Sequence, residues 1–330
     1  MPNIKILKKL AVFIFSITTV LAAQEQAQKE DPFMLIIPVG YDFVRMEQQT
    51  LHNPAAGIGF ILGEQDLPFD EVDRSFFGMA LYRPLIFTET LYQDVPKYIH
   101  QIEAIFDARL KRHQLLFIFK SSSDKPVAGG LNTFQAGAGW GYEVIRRPHV
   151  SLILGAALGV SDFGITLPSG APLPVMPLPL IRFGINTKWL TSSFEFLTGP
   201  NLDFAIAPKG KIRLLGDMRM DNYRSIGDLI CEYTLLYRFF DAGHKQGDFA
   251  GIGVGFKHDS VDFSLSRDFF GAETFELQQT SVFMVLDLTL IKIQGGWIFN
   301  SEYLVDGKKS GSPGKGFYIS VQGIIPIGIR

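Results

Sequence analysis

The sequence is 330 residues long, 47% hydrophobic and 13% aromatic, with 33 glycines and 29 phenylalanines against 19% charged residues. A formal net charge of -2 excludes a nucleic-acid partner, which needs a dense cationic face. The single cysteine, Cys231, excludes an internal disulfide scaffold.

The N-terminus, MPNIKILKKLAVFIFSITTVLAAQEQ, sets Lys5, Lys8 and Lys9 before an apolar run from Leu10 to Leu21 and closes it with Ala22 and Ala23. That is the layout of a secretory signal peptide over residues 1–22, followed by a polar linker over 23–32. The run falls short of the roughly 20 residues a spanning helix needs. No cysteine follows to carry a lipid anchor, so residues 33–330 are expected to be exported as a single β domain.

Beyond the linker the recurring signal is alternation with a period of two. Ile102, Ala104, Phe106, Ala108 and Leu110 oppose Glu103, Asp107 and Arg109. Phe134, Ala136, Ala138, Trp140, Tyr142 and Val144 oppose Gln135, Gly137, Gly139, Gly141 and Glu143. The same pattern puts Ile181, Phe183, Ile185, Thr187 and Trp189 on one face, then Ile212, Leu214 and Met218, then Leu229 to Phe239, then Val261, Phe263 and Leu265. Successive strand side chains point to opposite faces, so these are strands. KRHQ at Lys111, RRPH at Arg146 and KHDS at Lys257 read as hairpin turns. Longer loops are expected at SSSDKPVAGG, at the proline-rich LPSGAPLPVMPLPL (Leu167 to Leu180), at Gly271 to Gln279 and at DGKKSGSPGKG.

Alternation on every strand suits two architectures. A soluble β-sandwich hides its apolar faces in a shared core; a transmembrane barrel turns them outward to lipid and lines its lumen with polar or small residues. Long strands, aromatic residues near strand ends (Tyr142, Trp189, Tyr237, Phe239, Trp297) and a glycine-rich opposite face favour the barrel. The expected fold is an all-β antiparallel transmembrane β-barrel of roughly 12–16 strands, best taken as about 14. The segment Thr191 to Asp221 can be cut into strands in several ways.

On the signal, the dyad strands and the aromatic placement, the chain resembles Gram-negative-type outer-membrane β-barrel proteins over essentially everything after the linker. That resemblance implies an outer-membrane location, lipid as a partner, and a closing strand that ends in an aromatic residue. GFYISVQGIIPIGIR alternates through Phe317, Ile319 and Val321 but departs from the pattern by ending in Arg330.

The polar faces make Glu103, Asp107, Arg109, Arg182, Lys188, Glu195, Arg213, Asp217, Arg219, Glu232 and Arg238 the candidate lumen-lining residues. Their mixed signs favour a network of ion pairs over a single-sign selectivity ring. His149-Val150-Ser151 and His258-Asp259-Ser260 share the spacing of a base and a nucleophile, but the first lies on the inner face, away from lipid, and the second in an expected turn. The Gly251-Ile252-Gly253-Val254-Gly255 run lies in a strand with no helix after it to hold phosphate, and scattered histidines give no metal set; no cofactor is expected. The expected role is a narrow channel for small or apolar solutes, or a structural surface protein, without enzymatic activity. The alternatives are a secreted or periplasmic β-sandwich binding protein and a membrane-embedded lipid hydrolase.

Overall fold

The computed structural model describes residues 33–62, 74–89, 95–126, 130–161, 163, 173–197, 199–220, 229–241, 249–266 and 272–328. The expected signal peptide and linker lie outside them. The described residues form β1 (Phe33–Met46), β2 (Thr50–Leu62), β3 (Arg74–Glu89), β4 (Tyr98–Leu110), β5 (His113–Ser123) and β6 (Phe134–Arg147). There follow β7 (Val150–Val160), β8 (Val175–Asn186), β9 (Leu190–Phe196), β10 (Pro200–Ile206), β11 (Ile212–Met220) and β12 (Leu229–Asp241). The last are β13 (Phe249–Ser266), β14 (Ala272–Asp287), β15 (Ile291–Val305), β16 (Lys308–Gly311) and β17 (Gly316–Gly328). A 3₁₀ turn, Leu131–Thr133, precedes β6.

Each strand pairs antiparallel with its sequence neighbour, and β17 pairs with both β15 and β1, closing the sheet. The four-residue β16 pairs only with the far end of β15, across a turn in which Asp306 (φ 50°) and Gly307 (φ 72°) are both left-handed. This is the aspartate-glycine hairpin chemistry that suits strand twist. The wall therefore has sixteen strands among the described residues, β1 to β15 and β17. That is the upper end of the expected range, two above its central value. Part of the excess lies in the ambiguous segment after Thr191, which holds three short strands of 7, 7 and 9 residues.

The two ends of the barrel differ. Phe33 and Gly328 lie at one end, the turn end, with tight connections at 111–112, 148–149, 187–189 and 288–290. The other, the loop end, carries the connections after β3, β5, β7 and β15. The turns at KRHQ and RRPH fall where the sequence puts them. KHDS does not: Lys257 to Ser260 pair continuously with Gln278 to Ser281 in mid-β13. Gly271 to Gln279 is not a loop either, because β14 begins at Ala272.

The proline-rich segment is a loop only in part. Pro177 and Pro179 belong to β8 and pair in register with Leu158 and Ala156 of β7. On its other side β8 meets β9 only from Ile181 onward, because β9 is short. The two prolines thus occupy a stretch whose second edge is open among the described residues, where a missing N–H breaks no ladder.

Faces follow the pleat. On β6, Ala138, Trp140, Tyr142 and Val144 are exposed on the outside while Gly141 and Glu143 are buried within. The glycines make room. A Cβ on Gly139 would stand 3.0 Å from both Ala157 Cβ and Leu180 Cδ1, and one on Gly141 would stand 2.6 Å from Ile153 Cγ2. Leu116, Ile118, Ile153, Leu178 and Leu180 fill this inner side. Bulky apolar side chains are exposed on the outside of nearly every strand, including Ile58, Phe117, Trp140 (49% exposed), Leu158 (59%), Val254, Met284, Trp297 and Ile319. Exposed aromatic residues sit toward both ends: Tyr142, Trp189, Tyr237 and Phe239 near the turn end, Tyr98 and the Tyr41–His52 and Tyr82–His100 pairs near the loop end.

Candidate functional site: a lumen crossed by a hairpin

The interior is the site. β12 and β13 part company above the Cys231–His258 pair, while β13 and β14 stay paired to Ser266–Ala272. The released edge of β13 crosses the loop end of the barrel. Ser264 of β13 pairs in parallel with Ser123 of β5, and the Ser122 hydroxyl donates to the carbonyl oxygen of Asp262 at 2.5 Å. In a ring of sixteen strands β5 and β13 lie opposite one another, so this contact joins facing walls.

Apolar packing holds the crossing in place. Phe263 stacks on Phe275 with ring centroids 5.3 Å apart and planes 4° apart, meets Phe87 of β3 at 5.8 Å, and is 1% exposed. Tyr303 closes edge-on against Phe275 at 6.0 Å. Met46, Leu51, Leu85, Ile99, Leu277 and Ile298 complete this cluster. Phe263 corrects the sequence reading, which placed it among the outward residues. It shares the parity of Gly251, Gly253 and Gly255, so it points inward with them, and the inside is apolar at this level because the hairpin is packed against it.

Beneath the hairpin lies a polar cavity of about 680 Å³. Glu103, Asp217, Arg219 and Glu232 line it, with Asp42, Arg83, Lys120, Lys257, Asp259 and Lys292, which the candidate set lacks. Six of its charges form pairs: Arg83 with Glu103 at 3.2 Å, Lys257 with Asp259 at 2.7 Å, and Lys292 with Glu232 at 3.0 Å. A smaller recess of about 340 Å³ adjoins Asp203, Asp217, Glu232, Asp287 and Lys292. Asp203, Asp217 and Glu232 stand in one inward row, register partners across β10, β11 and β12.

A second network braces the wall. Arg182 of β8 donates to Glu195 of β9 at 2.9 and 2.5 Å and to Asp107 of β4 at 2.9 Å. Gln114 also donates to Asp107, at 2.7 Å, and Arg109 stands 4.0 Å from the same carboxylate. Arg182 thus links β8 to β4, strands that are not neighbours in the sheet. Arg182→Ala is expected to cost about 1–3 kcal/mol, the penalty for leaving part-buried acceptors without their donor, read as a lower urea midpoint in detergent. Arg213 and Arg238 take inward positions on β11 and β12 toward the turn end. Lys188 does not line the lumen. Asn186 ends β8 by donating its N–H to the His149 carbonyl, and Lys188 sits in the exposed turn with its ammonium 5.8 Å from the Trp189 ring centroid.

Neither His-x-Ser triple pairs base with nucleophile. His149 Nδ1 lies 2.9 Å from the Asn186 carbonyl oxygen, while Ser151 is buried. His258 Nδ1 lies 2.9 Å from Thr280 Oγ1, and Ser260 donates toward Asp262 at 2.8 Å and Glu276 at 3.0 Å.

Three of the missed lumen residues fell in segments misread or left open: Lys257 and Asp259 in the segment read as a turn, and Asp203 in the segment that can be cut into strands in several ways. Strict parity from Gly251 along β13 would have found the first two.

No protein-family model matches the chain, and no curated protein matches it. Among solved structures it is similar to Acinetobacter baumannii OccAB3 at 11% identity and a TM-score of 0.37, over 89% of this chain and 99% of that one. It is also similar to Pseudomonas aeruginosa OccK7 (OpdD), at 12% identity and a TM-score of 0.32 over 89% and 99% of the two chains. The translocator domain of autotransporter NalP from Neisseria meningitidis gives 8% identity and a TM-score of 0.32, over 97% and 96%. These likenesses are distant.

Proposed function

We propose that the protein is an outer-membrane β-barrel channel for small solutes, narrowed at its loop end by the β13–β14 hairpin, and that its role is passage rather than catalysis. The observation that carries this reading is the inversion of faces around a closed sixteen-strand wall: apolar side chains outside, charged and hydroxyl side chains within. A sheet closed on itself has no second sheet to cover its outer face, so lipid is the solvent that suits it. This arrangement removes the ground for a soluble β-sandwich, which needs the same side chains in a shared core. Most strands have 11 to 18 residues, enough for a tilted crossing of about 9–11. The tight turns at 111–112, 148–149, 187–189 and 288–290 favour the turn end on the periplasmic side and the loop end outside.

Membrane fractionation, gel mobility with and without boiling, and planar-bilayer conductance test the reading together. Recovery with the outer membrane, a heat-dependent shift and discrete conductance steps are expected. Release in the soluble fraction without detergent would overturn it.

A further inference from the structure

We infer that the cavity beneath the hairpin selects small, uncharged, hydroxyl-rich solutes such as monosaccharides; this rests on the channel reading above. The argument begins with what the wall presents. Ser121, Ser122, Gln135, Ser161, Ser320 and Gln322 line the cavity; the hydroxyls of Ser121, Ser122 and Ser161 donate to the carbonyl oxygens of Thr133, Asp262 and Phe134 and keep lone pairs with which to accept. Serine hydroxyls and glutamine amides each both donate and accept hydrogen bonds. A sugar hydroxyl does the same, so it can exchange its water partners for this wall without leaving either group unmatched. A volume of about 680 Å³ lies within the range of small-molecule sites, about 300–1,000 Å³.

Charge decides against ionic solutes. Arg83, Lys257 and Lys292 are each held by a carboxylate within 3.2 Å, so they present no cationic ladder to an anion. The same pairs neutralise Glu103, Asp259 and Glu232 against a cation. Selection by sign needs an unbroken ring or row of one sign; the acidic row of Asp203, Asp217 and Glu232 is broken by Lys292, which pairs with Glu232, and by Arg219 on the same face of β11 as Asp217.

The test is osmotic swelling of phosphatidylcholine–phosphatidylglycerol vesicles carrying the full chain, in isotonic glucose, gluconate or glucosamine, with ion conductance recorded on the same preparation. Glucose is expected to enter at least about fivefold faster than either charged analogue, the scale of one lost polar match. Gln101→Lys, which adds an uncompensated cation beside Ser122, is expected to shift the preference toward gluconate. Equal rates for all three solutes, faster entry of a charged one, or conductance without glucose entry would overturn the inference and leave the channel standing. Absence of both swelling and conductance would instead remove the channel reading, and the inference with it.

Discussion

Arginine at Val254 is expected to lower the unfolding free energy by about 2–4 kcal/mol, the cost of a guanidinium near the middle of a bilayer on the outside of a barrel. Val254 is 54% exposed on the outer face of β13 and stands in register with Leu235 and Met284, both exposed and apolar. Ile252 and Phe256 flank it on the same face, so no snorkelling route to a polar neighbour is close. Val254→Ala is the control. It trims a side chain that packs against lipid rather than a core, so its loss should stay within about 1 kcal/mol, the range of surface substitutions and small deletions. Both values come from urea titration in lipid vesicles followed by tryptophan fluorescence. An arginine as harmless as the alanine would place β13's outer face in water and sink the membrane assignment. Phe263, which the alternation in the sequence placed on the outward face, cannot serve for this test. A charge there breaks the ring stack with Phe275 inside the barrel, and its cost says nothing of lipid.

The strands with uniform environments on each side were legible in the sequence. On β4, β6 and β12 the outer face meets one solvent along the whole strand, so Phe106, Trp140 and Tyr237 mark it without contradiction. β13 passes through two interiors: a glycine-lined wall from Gly251 to Gly255 and an apolar cluster at Phe263. Hydrophobicity taken locally reverses its face at the second, whereas the pleat does not reverse. β15 shows the complementary case. Its register shifts beside Phe299, so Gln294 and Ile298 point inward before the bulge while Ser301 and Tyr303 point inward after it, a change of parity that alternation alone does not announce. That the inward charges would pair was legible from their mixed signs, but the pairings were not. Arg182 finds Asp107, 75 positions away, through the closure of the wall, and Glu232 meets Lys292 across the two intervening strands, β13 and β14. Residue types named the participants, but only register assigned the partners.

The hairpin that crosses the mouth makes the second large prediction. Joining Ser260 to Gln278 through an Asn-Gly turn in place of residues 261–277 is expected to raise single-channel conductance several-fold. Ser260 and Gln278 are register partners, so a two-residue turn fits between them without changing the ladder below. The wall should survive, because β12 pairs with β13 only as far as His258 and β14 keeps its pairing with β15 from Gln278 to Asp287. The truncation also uncovers Leu51, Leu85 and Phe87, which would face water inside the mouth. Phe263→Ala separates that effect from the loss of the crossing. It leaves the backbone bridge at Ser264 possible while removing a buried ring, a change that typically costs about 3–5 kcal/mol. The crossing should then detach intermittently, giving steps between the native conductance and that of the shortened hairpin. Unchanged conductance in the folded truncation would mean that solute passes elsewhere, for example beside the low wall of β9 to β11. The facing strands β5 and β13 touch at this level, so an open path through the mouth must either skirt that contact or break it.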